Sequence, residues 1–238
     1  MGRRPTVLLF DIDGTLITTG GVGRSAIERA VADTVGSPAT PFQFSFGGMV
    51  DPAIVRQGLE ALQIHPTPEL ISGVLERYVD LLAEEVSTAT MYRVLDGVVD
   101  ILNAVSGLPG VAVGLGTGNI EAGARIKLER VALNHYFKFG GYGSDAALRS
   151  DLIERGAQRG AERLGVPLDA CRLVIIGDTP KDIQAAHANG GECVAVSTGG
   201  VSHDALRAHA PEFLFESLAE PNVLAAVLDG GASTSVSP

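Results

Sequence analysis

Three short apolar runs constrain the fold of this chain more than any other feature. They occupy residues 6–10, 111–115 and 173–176. A strand that is apolar on both faces is typical of a parallel sheet that is covered by helices. Residues 194–196 and 213–215 are candidates for further strands, and helical patterns lie between the runs. The sequence therefore predicts an α/β fold with a doubly wound parallel sheet.

The stretch after the first run differs, because it has apolar residues at helical spacing and no convincing buried strand. The helical patterns occupy residues 23–35, 52–62 and 69–86, with a Pro- and Gly-rich loop at 41–49. We therefore predict a helical cap domain over residues 18–89. A Rossmann-like catalytic core is then expected over residues 1–17 and 90–238, with a frayed tail from about Gly230.

The acidic net charge of the chain argues against polyanionic partners. The formal net charge is −10, and neither nucleic acid nor an anionic membrane is an expected partner of an acidic surface without basic clusters. No stretch approaches the roughly 20 apolar residues of a membrane span. The two cysteines, Cys171 and Cys193, have no CxxC spacing, which favours a reduced, cytoplasmic protein. The oligomeric state is left open.

Polar residues follow each of the three apolar runs. Asp11 and Asp13 follow the first run, Thr117 the second, and Asp178 and Asp182 the third. Ligands of open parallel sheets bind beyond the carboxyl ends of the strands, so we expect these side chains to converge. Carboxylates that share a small site repel one another, and a hard divalent cation relieves that repulsion. Oxygen ligands without Cys or His predict Mg²⁺.

Three segments together resemble the motifs of the haloacid dehalogenase superfamily. The segments are Asp11-Ile12-Asp13-Gly14-Thr15-Leu16, then Thr117, and then Gly177-Asp178-Thr179-Pro180-Lys181-Asp182. The predicted cap resembles the helical cap of that superfamily. The resemblance implies a Mg²⁺-dependent phosphatase that acts on a small phosphorylated substrate, in the manner of phosphoglycolate or a sugar phosphate.

The resemblance also implies catalytic and metal-binding roles for individual residues. Asp11 is expected to attack phosphorus and form an acyl phosphate, while Asp13 protonates the leaving oxygen and later activates water. Asp11, the backbone carbonyl of Asp13, and Asp178 are expected to hold the metal. Asp182 is expected to support that site from behind.

Further residues are expected to bind the substrate. Thr117 and the backbone N–H groups of Gly118 and Asn119 are assigned to the phosphoryl oxygens. Gly14 lets the chain turn away from the phosphate, and Thr15 follows it in the same motif. Arg24 opens the first cap helix and is a candidate for a substrate contact.

One departure from the family pattern concerns the lysine that normally holds the nucleophile and the phosphate. Residues 142–153, where that lysine is expected, contain no Lys. Arg149 is the cation in this region, ahead of Ser150, a candidate helix N-cap, and we assign the role to Arg149. Lys127, in the helix after the second motif, is the alternative. If neither cation reaches the site, activity itself is in doubt.

Two other functions remain compatible with the sequence. A phosphomutase on the same scaffold would return the phosphoryl group to its substrate instead of to water. A non-catalytic binding protein could have kept the fold without efficient turnover, and the missing lysine is the only support for it. Members of the superfamily that are true dehalogenases, or that cleave carbon–phosphorus bonds, lack the second Asp, so Asp13 argues against both activities.

Overall fold

The computed structural model describes residues 4–230, so the tail predicted after Gly230 lies outside the described residues. The strands are β1 (Thr6–Phe10), β2 (Ile17–Thr18), β3 (Arg93–Val94), β4 (Val111–Gly116), β5 (Gly140–Gly141), β6 (Arg172–Gly177), β7 (Glu192–Val196) and β8 (Phe213–Phe215). The helices are α1 (Val22–Val35), α2 (Asp51–Ala61), α3 (Pro68–Thr88), α4 (Val98–Val105), α5 (Glu121–Glu129), α6 (Arg149–Leu164), α7 (Pro180–Ala188), α8 (His203–Arg207) and α9 (Val223–Asp229).

Six strands form one parallel sheet in the order β5-β4-β1-β6-β7-β8. The order runs outward from β1 in both directions, which confirms the doubly wound α/β fold. All five predicted strands are present. The sequence analysis missed the edge strand β5, because its two glycines carry no apolar pattern.

Alternating residues of β1 serve two cores on opposite faces of the sheet. Val7 and Leu9 pack in a cluster with residues of α6, α7 and α8. Leu8 and Phe10 pack in another cluster with residues of α4, α5 and α9. Full burial of each such side chain contributes about 1.5–3 kcal/mol, which explains why the run is apolar on both faces.

The three helices α1, α2 and α3 pack around a third apolar cluster that includes Tyr78, Leu81 and Leu82. The predicted helices are confirmed to within two residues at both ends. The start of α3 is fixed by the Thr67 cap and Pro68. A short antiparallel ribbon of β2 and β3 lies where the chain enters and leaves this helical region. The domain limits at residues 18 and 89 stay a prediction.

The start of α6 corrects one expectation. The helix begins at Arg149 and Leu148 is its N-cap, so the interpretation of Ser150 as the cap is wrong. Arg149 therefore belongs to the first turn of a helix that packs on the sheet. None of the helices within residues 4–230 is long and apolar enough to cross a membrane.

The register of the central strands brings the motifs to one edge. Phe10 pairs with Leu115 of β4 on one side and with Ile176 of β6 on the other. The strands are parallel, so Asp11 lies between the residues that follow β4 and those at the end of β6.

Candidate functional site

Three buried carboxylates gather at the carboxyl edge of the sheet, and we call them the core carboxylate cluster. They are Asp11 after β1, Asp178 after β6 and Asp182 in the first turn of α7. One carboxylate oxygen from each residue lies within 4.8 Å of the other two. The structure thus brings together three of the four predicted metal-site residues through their side chains.

The pKa values in this cluster reflect burial and mutual repulsion. Burial raises the pKa of Asp11 to about 6; Arg149 lowers it, and the charges of Asp182 and Asp13 raise it further. Burial, followed by the charges of Asp11 and Asp182, raises the pKa of Asp178 well above its usual range. These raised pKa values mean that the protein around the cluster does not fully stabilise the ionised forms of Asp11 and Asp178.

Arg149 reaches the core carboxylate cluster from the first turn of α6. Its Nη2 lies 3.0 Å from Asp11 Oδ2 and 2.5 Å from Asp182 Oδ1, and its Nε donates to the same Asp182 oxygen at 2.9 Å. The other oxygen of Asp182 accepts hydrogen bonds from the Thr179 N–H and hydroxyl. With both oxygens engaged, Asp182 orients Arg149 and α7 instead of offering a free ligand atom.

The loop after β1 fixes the position of Asp178. The Thr15 hydroxyl donates to Asp178 Oδ1 at 3.2 Å, and it is buried beneath the site. Gly14 has a φ of 85°, and a Cβ there would collide with Asp178 Oδ2. Glycine is thus needed both for the backbone conformation and for the close approach.

A divalent cation fits this donor set. Within residues 4–230, Arg149 is the cation that pairs with the cluster, and it pairs with two of the three carboxylates, so the cluster retains a charge that a divalent ion would neutralise. The donors are all oxygens, which suits Mg²⁺. Asp11 and Asp178 border the cavity described below and would hold the ion, while both oxygens of Asp182 are engaged by Arg149 and Thr179.

A second group of polar residues, which we call the Lys127 network, lies beside the cluster. Lys127 Nζ, from α5, contacts Asp13 Oδ2 at 2.7 Å and Asn119 Oδ1 at 2.6 Å. The Asn119 amide donates to Asp13 Oδ2 and to the Thr117 hydroxyl oxygen, each at 2.8 Å. Thus Arg149 meets Asp11 and Lys127 meets Asp13, so the two candidate cations serve different carboxylates.

Arg24 lies at the cap side of the site. Its guanidinium forms an ion pair with Glu28 at 3.0 Å and donates to the carbonyls of Phe42 and Phe44. It also stacks over the Phe46 ring, 3.9 Å from the centroid. Most of its donors therefore hold the loop before α2 in place, although its side chain still borders the cavity.

Asp51 is a buried carboxylate in this region. From the sequence, its segment 46–51 resembles a loop that faces the site in related capped phosphatases, but Asp51 itself is given no role there. Its N–H donates to the Gly118 carbonyl, and its Oδ2 accepts from the Ile120 N–H, both at 2.8 Å. Burial raises the pKa of Asp51 to about 6, while Lys127 and the Ile120 hydrogen bond lower it. These bonds join α2 to the loop after β4. In the sequence, the Asp51-Pro52 pair indicates only that a helix starts there, with an acidic residue in its first turn.

The residues above surround a cavity of about 240 Å³ between the sheet edge and the helical region. Most predicted site residues border it: Asp11, Asp13, Arg24, Gly118, Asn119, Arg149 and Asp178. Gly14 borders a neighbouring opening together with Asp13 and Asp178. Thr15, Thr117 and Asp182 are buried behind the wall, so their hydroxyl or carboxylate groups act through neighbouring residues in this structure.

Comparison with known proteins gives a consistent result. Residues 8–196 match the model of the haloacid dehalogenase-like hydrolase family. A protein named "Probable phosphatase IndB" from Dickeya dadantii is 24% identical over 90% of each chain. A "Phosphoglycolate phosphatase" from Pseudomonas savastanoi pv. phaseolicola is 27% identical over 83% of this chain and 71% of its own. The crystal structure of a hydrolase from Pseudomonas syringae has the same fold, with a TM-score of 0.67 and 21% identity over 96% and 100% of the two chains.

Proposed function

The chain belongs to the haloacid dehalogenase-like hydrolase family, and we propose that it hydrolyses small phosphomonoesters through an aspartyl-phosphate on Asp11. The observation that carries this proposal is the placement of Asp11 on the cavity wall, with Arg149 3.0 Å away and two further carboxylates within reach of a shared cation. Relatives whose names identify them as phosphatases support the same reaction class.

The proposed reaction has two transfers. A carboxylate oxygen of Asp11 attacks phosphorus, the ester bond breaks, and the carboxyl group of Asp13 gives its proton to the leaving oxygen. Water then attacks the phosphorus of the acyl phosphate, Asp13 takes a proton from that water, and the Asp11 carboxylate and inorganic phosphate are released. The Lys127 network supports this role, because it holds Asp13 at the cavity wall.

The remaining residues position the phosphoryl group. Arg149 would stabilise charge on the phosphoryl oxygens while it orients Asp11, and the backbone N–H groups of the loop at Gly118 and Asn119 are proposed to bind them too. When bound, Mg²⁺ would offset phosphate charge at Asp11, Asp178 and the Asp13 carbonyl. Thr15 and Asp182 are proposed to position Asp178 and Arg149.

The alternatives are weakened to different extents. The binding-protein hypothesis rested on the missing lysine, and the contact between Arg149 and Asp11 supports the proposal that Arg149 takes the place of that lysine. A phosphomutase differs only in the acceptor of the phosphoryl group. Release of inorganic phosphate in proportion to ester consumed would identify the acceptor as water.

Substitution of the nucleophile tests the proposal directly. We expect Asp11→Asn to lower the hydrolysis of p-nitrophenyl phosphate in Mg²⁺ by at least about 10⁴-fold, because the amide cannot attack phosphorus. Asp169→Asn, at an exposed carboxylate far from the site, is the matched control and should keep the wild-type rate. Equal rates for Asp11→Asn and wild type would refute the proposed function.

A further inference from the structure

The cap side of the cavity contains a buried hydroxyl group without a partner. Tyr78, on α3, is fully buried, and its hydroxyl group has no hydrogen-bond partner among residues 4–230. The same residue borders the cavity. A buried hydroxyl that makes no hydrogen bond costs free energy, so the cavity that adjoins Tyr78 points to a ligand that completes it.

Asp51 borders the same part of the cavity. One of its oxygens accepts the Ile120 N–H, and its carboxylate forms no ion pair within the described part of the chain. Its pKa of about 6 leaves it ionised at neutral pH. Burial, and then the charge of Asp51, raise the pKa of Tyr78, and both residues border the cavity.

The cations at this wall are already matched by carboxylates. Lys127 pairs with Asp13, and Arg24 pairs with Glu28. Asp51 therefore adds a negative charge to the cap side, which Lys127 partly offsets, and a second anionic group on a substrate would meet repulsion from Asp51 there. The rest of this wall is apolar and includes Ile27, Met49 and Ile54.

From this arrangement we propose that the cap side binds a neutral leaving group that carries a hydroxyl, and that it selects against a leaving group with a carboxylate. The substrate hydroxyl donates to Asp51 and accepts from the Tyr78 hydroxyl, while its carbon skeleton contacts the apolar wall. The inference rests on the proposed phosphatase function and deepens it. The proposal predicts that this chain discriminates against phosphoglycolate, for which one relative is named and whose leaving group, glycolate, carries a carboxylate.

Three esters of similar size test the proposal: 2-hydroxyethyl phosphate, 2-phosphoglycolate and propyl phosphate. We expect kcat/KM of wild type to be at least about 10-fold higher for 2-hydroxyethyl phosphate than for either other ester, since a site built for a hydroxyl rejects analogues that lack it. Equal values, or a preference for 2-phosphoglycolate, would overturn the proposal.

Two variants connect the selectivity to the named residues. Tyr78→Phe should reduce the preference for 2-hydroxyethyl over propyl phosphate by about 10-fold, and Asp51→Asn should reduce the discrimination against 2-phosphoglycolate by a similar factor. Tyr78→Phe should not lower the melting temperature, because the hydroxyl bonds no described residue. Tyr136→Phe, whose hydroxyl bonds Asn103 at the surface, is the matched control and should keep the wild-type preference.

The outcomes separate this inference from the proposed function. If wild type cleaves p-nitrophenyl phosphate and Asp11→Asn does not, but Tyr78→Phe keeps the wild-type preference among the esters, only the inference fails. A fall in the melting temperature of Tyr78→Phe with unchanged ester preference would identify a structural role and overturn it as well. If wild type cleaves no ester faster than Asp11→Asn, both proposals fail together.

Discussion

The core carboxylate cluster and the Lys127 network lie side by side at one sheet edge, yet they balance their charges differently. In the cluster, three buried carboxylates share one guanidinium, and the pKa values of Asp11 and Asp178 are raised. In the network, Asp13 has an ammonium group and an amide as direct partners. The residues of the network thus neutralise the charge of Asp13, whereas the core carboxylate cluster keeps excess negative charge, which under the proposed function a cation would neutralise.

This difference assigns separate tasks to the two regions. A cluster with excess negative charge is suited to bind a cation, which would in turn attract a phosphoryl group. A network whose charges are balanced holds the Asp13 carboxyl group in a fixed position, which suits the proton transfer that we propose for it. The comparison predicts that the two cations, Arg149 and Lys127, are not interchangeable.

Removal of Arg149 should have the largest effect. We expect Arg149→Ala to lower kcat for p-nitrophenyl phosphate by about 10²–10³-fold, because Asp11 and the phosphoryl oxygens lose a buried positive charge. The loss of one partner from a buried ion pair should also reduce the free energy of unfolding by about 3 kcal/mol or more in the absence of metal. Arg155→Ala, at an exposed position of the same helix, is the control. If kcat of Arg149→Ala equals that of wild type, the role that we assign to Arg149 is wrong.

Removal of Lys127 should have a smaller effect on the reaction. Lys127→Met keeps the length of the side chain but leaves Asp13 Oδ2 and Asn119 Oδ1 without their cation. We expect kcat to fall by about 10–100-fold for an ester with a poor leaving group, because proton transfer depends on the placement of Asp13. A nitrophenolate leaving group needs little protonation, so its rate should fall less.

Comparing kcat for the ester with a poor leaving group and for p-nitrophenyl phosphate tests whether Lys127 acts on proton transfer. Lys138→Met, at an exposed position, is the matched control and should behave as wild type with both esters. An equal loss of rate with both leaving groups would indicate that Lys127 supports the fold of the site and not the action of Asp13.

The incomplete charge of the core cluster can be tested by metal binding without any turnover. At a concentration of 100 times its dissociation constant, Mg²⁺ should stabilise wild type by about 2.7 kcal/mol, or about 5–10 °C in melting temperature. We expect Asp178→Asn to be more stable than wild type without metal, because one repelling carboxylate is gone, and to gain little from Mg²⁺. A similar Mg²⁺ shift in both proteins would contradict a metal site at Asp178.

The last prediction has no expected effect on turnover and concerns the pH dependence of stability at Asp51. Its pKa is raised in the folded protein to about 6, so the folded state holds this proton more tightly than the unfolded chain. The contribution is therefore fully present below about pH 4 and is lost as the pH rises through about 6, by on the order of 3 kcal/mol.

Asp51→Asn removes this titration and isolates it from all other groups. In chemical unfolding without metal, the stability of wild type relative to Asp51→Asn should decrease between pH 4 and pH 7. A constant difference between the two proteins across this range would show that Asp51 titrates alike in the folded and unfolded states.

The sequence by itself determined the sheet and the identity of its polar edge. A run such as residues 6–10 is apolar on both faces, and it ends at a carboxylate; both signals are local in the chain. Once three such runs align in parallel, Asp11, Thr117 and Asp178 must meet at one edge. The helices of residues 22–88 followed from their periodicity for the same reason.

Only the tertiary structure decided which cation meets which carboxylate and which polar groups close the cavity. Arg149 and Lys127 are both basic residues in helices. Their positions in the sequence do not predict that Arg149 contacts Asp11 and that Lys127 contacts Asp13. Asp51 and Tyr78 read as ordinary helix residues until α2 and α3 are packed over the sheet edge. Contacts between residues that are far apart in the chain depend on how the helices are rotated and packed against the sheet. Local sequence propensity does not determine that packing.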